Sequence, residues 1–116
     1  MKFPVLTAQE RAARLAPPTG KLRVVIDSDT YNEVDDQFAI AYALMSPERL
    51  NVEAVYAAPF SSAFLAKMMN ADAGIPMTAD LQEGLEQSYQ EILHLFSLLG
   101  RDPAGMVFRG SPTYLT

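Results

Sequence analysis

The apolar residues of this chain change period several times, and each change marks an element. Residues 8–15 alternate alanine and leucine with charged positions, which predicts a short surface helix stopped by Pro17, Pro18 and Gly20. Leu22-Arg23-Val24-Val25-Ile26 follows, a β-branched run too short for a helix and suited to a buried parallel strand. Asp35 and Asp36 then open a stretch of good helix formers running to Met45. Carboxylates in a first helical turn are favoured by the helix dipole. Ser46-Pro47 marks the end, because a residue before proline avoids the helical region. Val52 to Ala57 reads as a second strand, stopped at Pro59. Strand, loop, helix and strand in this order predict a βαβ unit with a right-handed crossover.

Further along, residues 61–70 read as helical, ending near Asn70 to Gly74, with loop continuing to Thr78. Asp80 and Glu83 have the spacing of a capping box, with Asp80 as cap and Glu83 reaching back. Leu81, Leu85, Tyr89, Ile92, Phe96 and Leu99 then recur at helical spacing, and Gly100 ends the helix. Met106-Val107-Phe108 suits a third strand, running into Arg109-Gly110-Ser111, which reads as an ordinary turn. The expected architecture is α/β: a Rossmann-like open, mainly parallel sheet with flanking helices. Residues 1–20 form a lead-in and residues 21–116 the domain.

Composition narrows the partners. A chain of 116 residues, 49% hydrophobic, suits one core of ordinary size. A net charge of -5 excludes a nucleic-acid backbone as the expected partner, since phosphates need a basic surface. The absence of cysteine removes disulfides, thiolate metal sites and a cysteine nucleophile. No apolar run approaches the ~18 residues of a membrane span. The first 20 residues hold no continuous apolar stretch resembling a signal peptide. These features lead us to expect a soluble, cytoplasmic protein with no membrane partner.

The chemistry concentrates in Asp27-Ser28-Asp29-Thr30-Tyr31-Asn32-Glu33-Val34-Asp35-Asp36, with four aspartates in ten residues. They fall at the carboxyl end of one strand and the start of the next helix, the edge where open α/β sheets bind ligands. Carboxylates so close repel when desolvated. Either they splay into water, or a cation neutralises them, and calcium with its six to eight oxygen ligands suits such a cluster. Taken singly, each has a plainer reading as a loop residue or, for Asp35 and Asp36, a helix cap. His94, the only histidine, falls opposite the apolar face of its helix and reads as a surface residue.

The run Val25-Ile26-Asp27-Ser28-Asp29, followed by Asp35-Asp36 and an apolar helix, resembles the signature of inosine–uridine-preferring nucleoside hydrolases. In that family a strand leads to Asp-x-Asp, a short loop and Asp-Asp. This chain carries Thr30-Tyr31-Asn32-Glu33 where the commoner form has a Pro-Gly pair, so its loop is longer. The resemblance implies the N-terminal part of the nucleoside hydrolase fold, with the C-terminal part missing. It also implies calcium-dependent hydrolysis of the N-glycosidic bond of ribonucleosides to ribose and free base, as in purine and pyrimidine salvage. Asp29 would bind calcium and act as general base, Asp36 would be a calcium ligand, and Asp35 would hold ribose hydroxyls or the metal. Asp27 would support the metal. Independently of the resemblance, Tyr31 and Asn32 in the loop beside the aspartates are placed either to line a ribose pocket or simply to serve the loop. Ile26-Asp27-Ser28-Asp29 also resembles the strand end of haloacid-dehalogenase-like, magnesium-dependent phosphohydrolases, which would make Asp27 the nucleophile but gives Asp35 and Asp36 no role. A third reading is a non-catalytic fragment or sugar-binding domain. A parallel sheet this small should leave an edge and an apolar face uncovered, so a homo-oligomer is expected.

Overall fold

The computed structural model describes residues 4–62, 78 and 80–114. The elements in chain order are α1 (Ala8–Leu15), β1 (Leu22–Ser28), α2 (Asp35–Leu44), β2 (Leu50–Ala57), α3 (Leu81–Leu98) and β3 (Val107–Arg109). The three strands form one parallel sheet in the order β1-β2-β3. The expected open parallel sheet with helices is thus present as a small α/β fold. The helix expected over 61–70 falls, beyond Ser62, outside the described residues.

Both long helices serve one core. Ile40 and Leu44 of α2, Val55 and Ala57 of β2, Leu85, Ile92, Leu95 and Phe96 of α3, and Val107 of β3 form a single buried cluster. The helical spacing read in α3 is the buried face, with Ile92 and Phe96 fully excluded from solvent. Burying such aliphatic and aromatic side chains stabilises the fold by roughly 1.5–3 kcal/mol each.

The strands run further than their β-branched stretches. β1 extends through Asp27 to Ser28, because its backbone keeps pairing with Tyr56 and Ala57 of β2. The register slips once, between the Val24–Val52 and Val25–Ala54 pairings, so that Glu53 is an extra residue on β2. This bulge breaks strict alternation, and the adjacent Ala54 and Val55 are both buried. Only one face of the sheet is covered by described helices. On the other, Val25 is 60% exposed and the rings of Tyr56 and Phe108 stack 5.3 Å apart. Among the described residues, the apolar face expected from sequence is uncovered.

Helix ends depart from expectation in two places. Asp80 caps α3 by accepting from the Gln82 amide at 2.9 Å, but Glu83 does not reach back; it accepts from the Gln87 side chain at 3.3 Å instead. The complete capping box is at α1, where Thr7 and Glu10 exchange bonds. Neither Asp35 nor Asp36 caps α2, since the cap position is Val34 and makes no side-chain bond. At the other end of α2, the Arg101 guanidinium donates to the Leu44 carbonyl at 2.6 Å, satisfying a terminal acceptor.

Candidate functional site

The carboxyl ends of β1 and β2 and the amino ends of α2 and α3 meet at one edge, and the acidic run lies there. Strand alternation separates the aspartates. Ile26 and Ser28 face the helices, whereas Asp27 is exposed on the uncovered face, level with Tyr56. Asp29 follows the strand end and is half-buried, as is Asp36 in the first turn of α2; Asp35 is exposed. The structure therefore brings Asp29 and Asp36 together and leaves Asp27 and Asp35 outside that pair.

The pair is held by hydroxyls. Ser28 and Thr30, both buried, share a hydrogen bond of 2.7 Å, and Ser28 donates to the Asp36 carboxylate at 3.0 Å. One proton arrangement satisfies both bonds: Thr30 donates to Ser28, and Ser28 to Asp36. Asn32 donates its side-chain amide to Asp29 at 3.0 Å and its backbone amide to the Asp29 carbonyl at 2.7 Å. Its side-chain amide is thus turned to positioning Asp29. Ser28 and Thr30 were not singled out from the sequence. Their signal is the alternation Asp27-Ser28-Asp29-Thr30, small hydroxyls interleaved with the acids.

The electrostatics of this edge are uneven. Burial pushes the Asp36 carboxyl above the ordinary carboxylate range, against the Ser28 hydrogen bond. Asp29 adds to the rise through its charge and a carboxyl–carboxyl hydrogen bond, and Asp35 adds through charge. Glu86 on α3 behaves in the opposite way. Arg109, the last residue of β3, donates to both its oxygens at 2.8 and 2.9 Å, and Gln90 donates at 2.7 Å. Those bonds lower the Glu86 pKa from 4.5 to about 2. The same guanidinium lies 3.6 Å from the centre of the Tyr89 ring. Arg109 is therefore committed to Glu86 and Tyr89, in keeping with the ordinary reading of the Arg109-Gly110-Ser111 turn.

Compared with known proteins, the chain matches no family model, no curated protein and no solved structure.

Close contacts and hydrogen bonds tie the surroundings of the edge together. Gly84 of α3 lies directly on the backbone of Phe60, where an added Cβ would collide with the Phe60 carbonyl oxygen. Ser62 and Thr78 exchange backbone and side-chain hydrogen bonds at 2.7–3.0 Å, and Thr78 donates to Gln87 at 2.6 Å. Gln37 donates to Glu91 across the two helices at 3.2 Å. An open cleft of about 380 Å³ lies beside these helices, lined by Tyr31, Glu86, Gln87, Gln90, Glu91 and His94. His94 is exposed, as its place on the helix wheel predicts. Among the described residues no three acidic, histidine or cysteine side chains converge on a metal-sized point. What Asp29 and Asp36 offer a hard cation is two facing carboxylates, which suit it as partial ligands, the remaining oxygens coming from elsewhere. Among the described residues no helix is long and apolar enough to cross a membrane.

Proposed function

We propose that this chain carries the cation-binding and water-activating part of a calcium-dependent nucleoside N-ribohydrolase. The observation that supports this most is the Asp29–Asp36 pair: two carboxylates facing each other, with no cationic side chain paired to either among the described residues, at the carboxyl edge of a parallel sheet. Asp36 is oriented by Ser28, and Asp29 is fixed by Asn32. Calcium bound there would offset the mutual repulsion and hold water and ribose oxygens near the pair.

The chain's own residues then have distinct tasks. Asp29, held at one oxygen by Asn32, keeps its other oxygen for a proton taken from the attacking water. Asp36 remains the anionic anchor, with the Ser28–Thr30 hydroxyls behind it. Asp35, exposed at the start of α2, is free to accept from ribose hydroxyls. Negative charge at this edge stabilises the positive charge that develops on the sugar as the glycosidic bond breaks. Asp27, on the opposite face of β1, serves more remotely through its charge. The pairing of Asp36 with Asp29 also weighs against the phosphohydrolase reading, which leaves Asp36 unused.

The test is ribose release from inosine and uridine, with calcium or with a chelator. Calcium-dependent release that is lost in Asp29→Asn supports the proposal. Release that survives both chelation and Asp29→Asn overturns it. Phosphate release from phosphomonoesters, lost in Asp27→Asn, would replace it with the phosphohydrolase reading.

A further inference from the structure

Between β1 and α2 the chain runs from Asp29 to Val34, and Thr30 is the one residue of that stretch shut off from solvent, at 0% exposure. Tyr31, Asn32, Glu33 and Val34 are exposed, and Asp29 is half-buried. Threonines in polar loops are ordinarily solvated, and a buried hydroxyl is costly unless it finds a partner. Ser28, also buried, is that partner at 2.7 Å. Among the described residues the Thr30 hydroxyl bonds to nothing else.

The direction of that bond gives Thr30 a task. A serine hydroxyl has a single proton and otherwise only lone pairs. Ser28 spends its proton on Asp36 at 3.0 Å, so Thr30 is the donor to Ser28. Without that donor the Ser28 hydroxyl would lose a bond in a buried place and would be freer to turn away from Asp36.

The same bridge bears on both acids. Ser28 ends β1, Thr30 lies in the loop and Asp36 lies in the first turn of α2, so the hydroxyls tie strand, loop and helix together. Asp29 falls between Ser28 and Thr30 in the chain, and the bond that aims Ser28 at Asp36 also closes the backbone around Asp29. Asn32 then holds the Asp29 carboxylate from the following turn. We infer that Thr30 is a positioning residue: acting through Ser28, it sets how the Asp29 and Asp36 carboxylates face each other, and so how tightly the pair holds a divalent cation. The effect on cation binding rests on the proposed function, whereas the placing of Asp36 by the bridge does not.

The test is a calorimetric titration of calcium into the full chain and its variants, with thermal melts reporting folding. Thr30→Val keeps the shape of the buried side chain but removes the donor, and should weaken calcium binding about tenfold. Thr30→Ser keeps the donor and should bind within about twofold of the natural chain. Ser28→Ala should weaken binding at least as much as Thr30→Val. Adding Thr30→Val to Ser28→Ala should then cost nothing more, because the effect of Thr30 passes through Ser28. Losses that multiply in the double variant, or a Thr30→Ser chain as weak as Thr30→Val, would overturn the inference. Should Thr30→Val fail to fold, natural-like binding in Thr30→Ser with loss in Ser28→Ala supports the bridge, and any other pattern in those two overturns it. The NMR shift of the Asp36 carboxyl carbon gives a reading that needs no calcium. Thr30→Val should move it in the natural chain and leave it still on the Ser28→Ala background. No calcium binding with that pattern intact would count against the proposed hydrolase and for the bridge, whereas an Asp36 shift indifferent to Thr30→Val would overturn the bridge.

Discussion

Asp36 and Glu86 both sit in the helix layer near the same edge of the sheet, and their carboxyls are pushed in opposite directions. Glu86 meets a guanidinium that is itself seated on an aromatic ring, and its charge is answered within the chain. Asp36 meets burial and two further carboxylates, and a serine hydroxyl is its main support. The contrast separates structural acids from available ones. A carboxylate satisfied by its own fold organises the surface, whereas a pair left facing each other stores electrostatic cost that a cation, on the proposed function, would relieve.

The comparison breaks most completely where both acids lose their common support. Phe96 is fully buried beneath α3, and Phe96→Ala should cost about 3–5 kcal/mol and abolish cation binding together with folding, read by chemical denaturation. Gly84→Ala forces α3 away from the Phe60 backbone and should cost about 1–3 kcal/mol. A stability unchanged by Gly84→Ala would mean that the edge is looser than the described contacts.

Substitutions at the acids themselves sharpen the contrast. The Asp36 pKa is raised in the fold, so its favourable contribution is present below the ordinary carboxylate pKa and lost as pH rises through the raised value. Asp36→Asn should remove that loss, and its stability advantage over the natural chain should grow from acid toward neutral pH in thermal melts. Glu86 runs the other way: its contribution is present above 4.5 and fades as pH falls toward about 2. Glu86→Gln should therefore destabilise the chain at neutral pH, by the smallest amount of these changes, and leave cation affinity unaltered. A loss of cation binding in Glu86→Gln would erase the distinction between the two acids.

The sequence made the scaffold legible where periodicity was strong. The face of α3 from Leu85 through Phe96, the parallel pairing of Val24–Ile26 with β2, and the place of the acidic run at the strand end all follow from spacing. Long-range geometry was not legible. Nothing local says that Asp27 falls on the far face while Asp29 meets Asp36, because that depends on where β1 stops pairing with Tyr56 and Ala57. Ser28 and Thr30 look like loop hydroxyls until the buried Ser28–Thr30 contact is seen. Glu83 had the spacing to complete a capping box, yet Gln87 one turn along takes its oxygen. The partnership of Glu86 with Arg109 joins residues 23 apart and could be found only in three dimensions.

The most direct test of the central claim is a calorimetric titration of calcium into the natural chain, Asp36→Asn and Glu86→Gln, run with melts that confirm folding. The account predicts saturable binding to the natural chain and to Glu86→Gln, weakened at least about tenfold in Asp36→Asn. Equal binding in all three folded chains, or none to the natural chain, would contradict it.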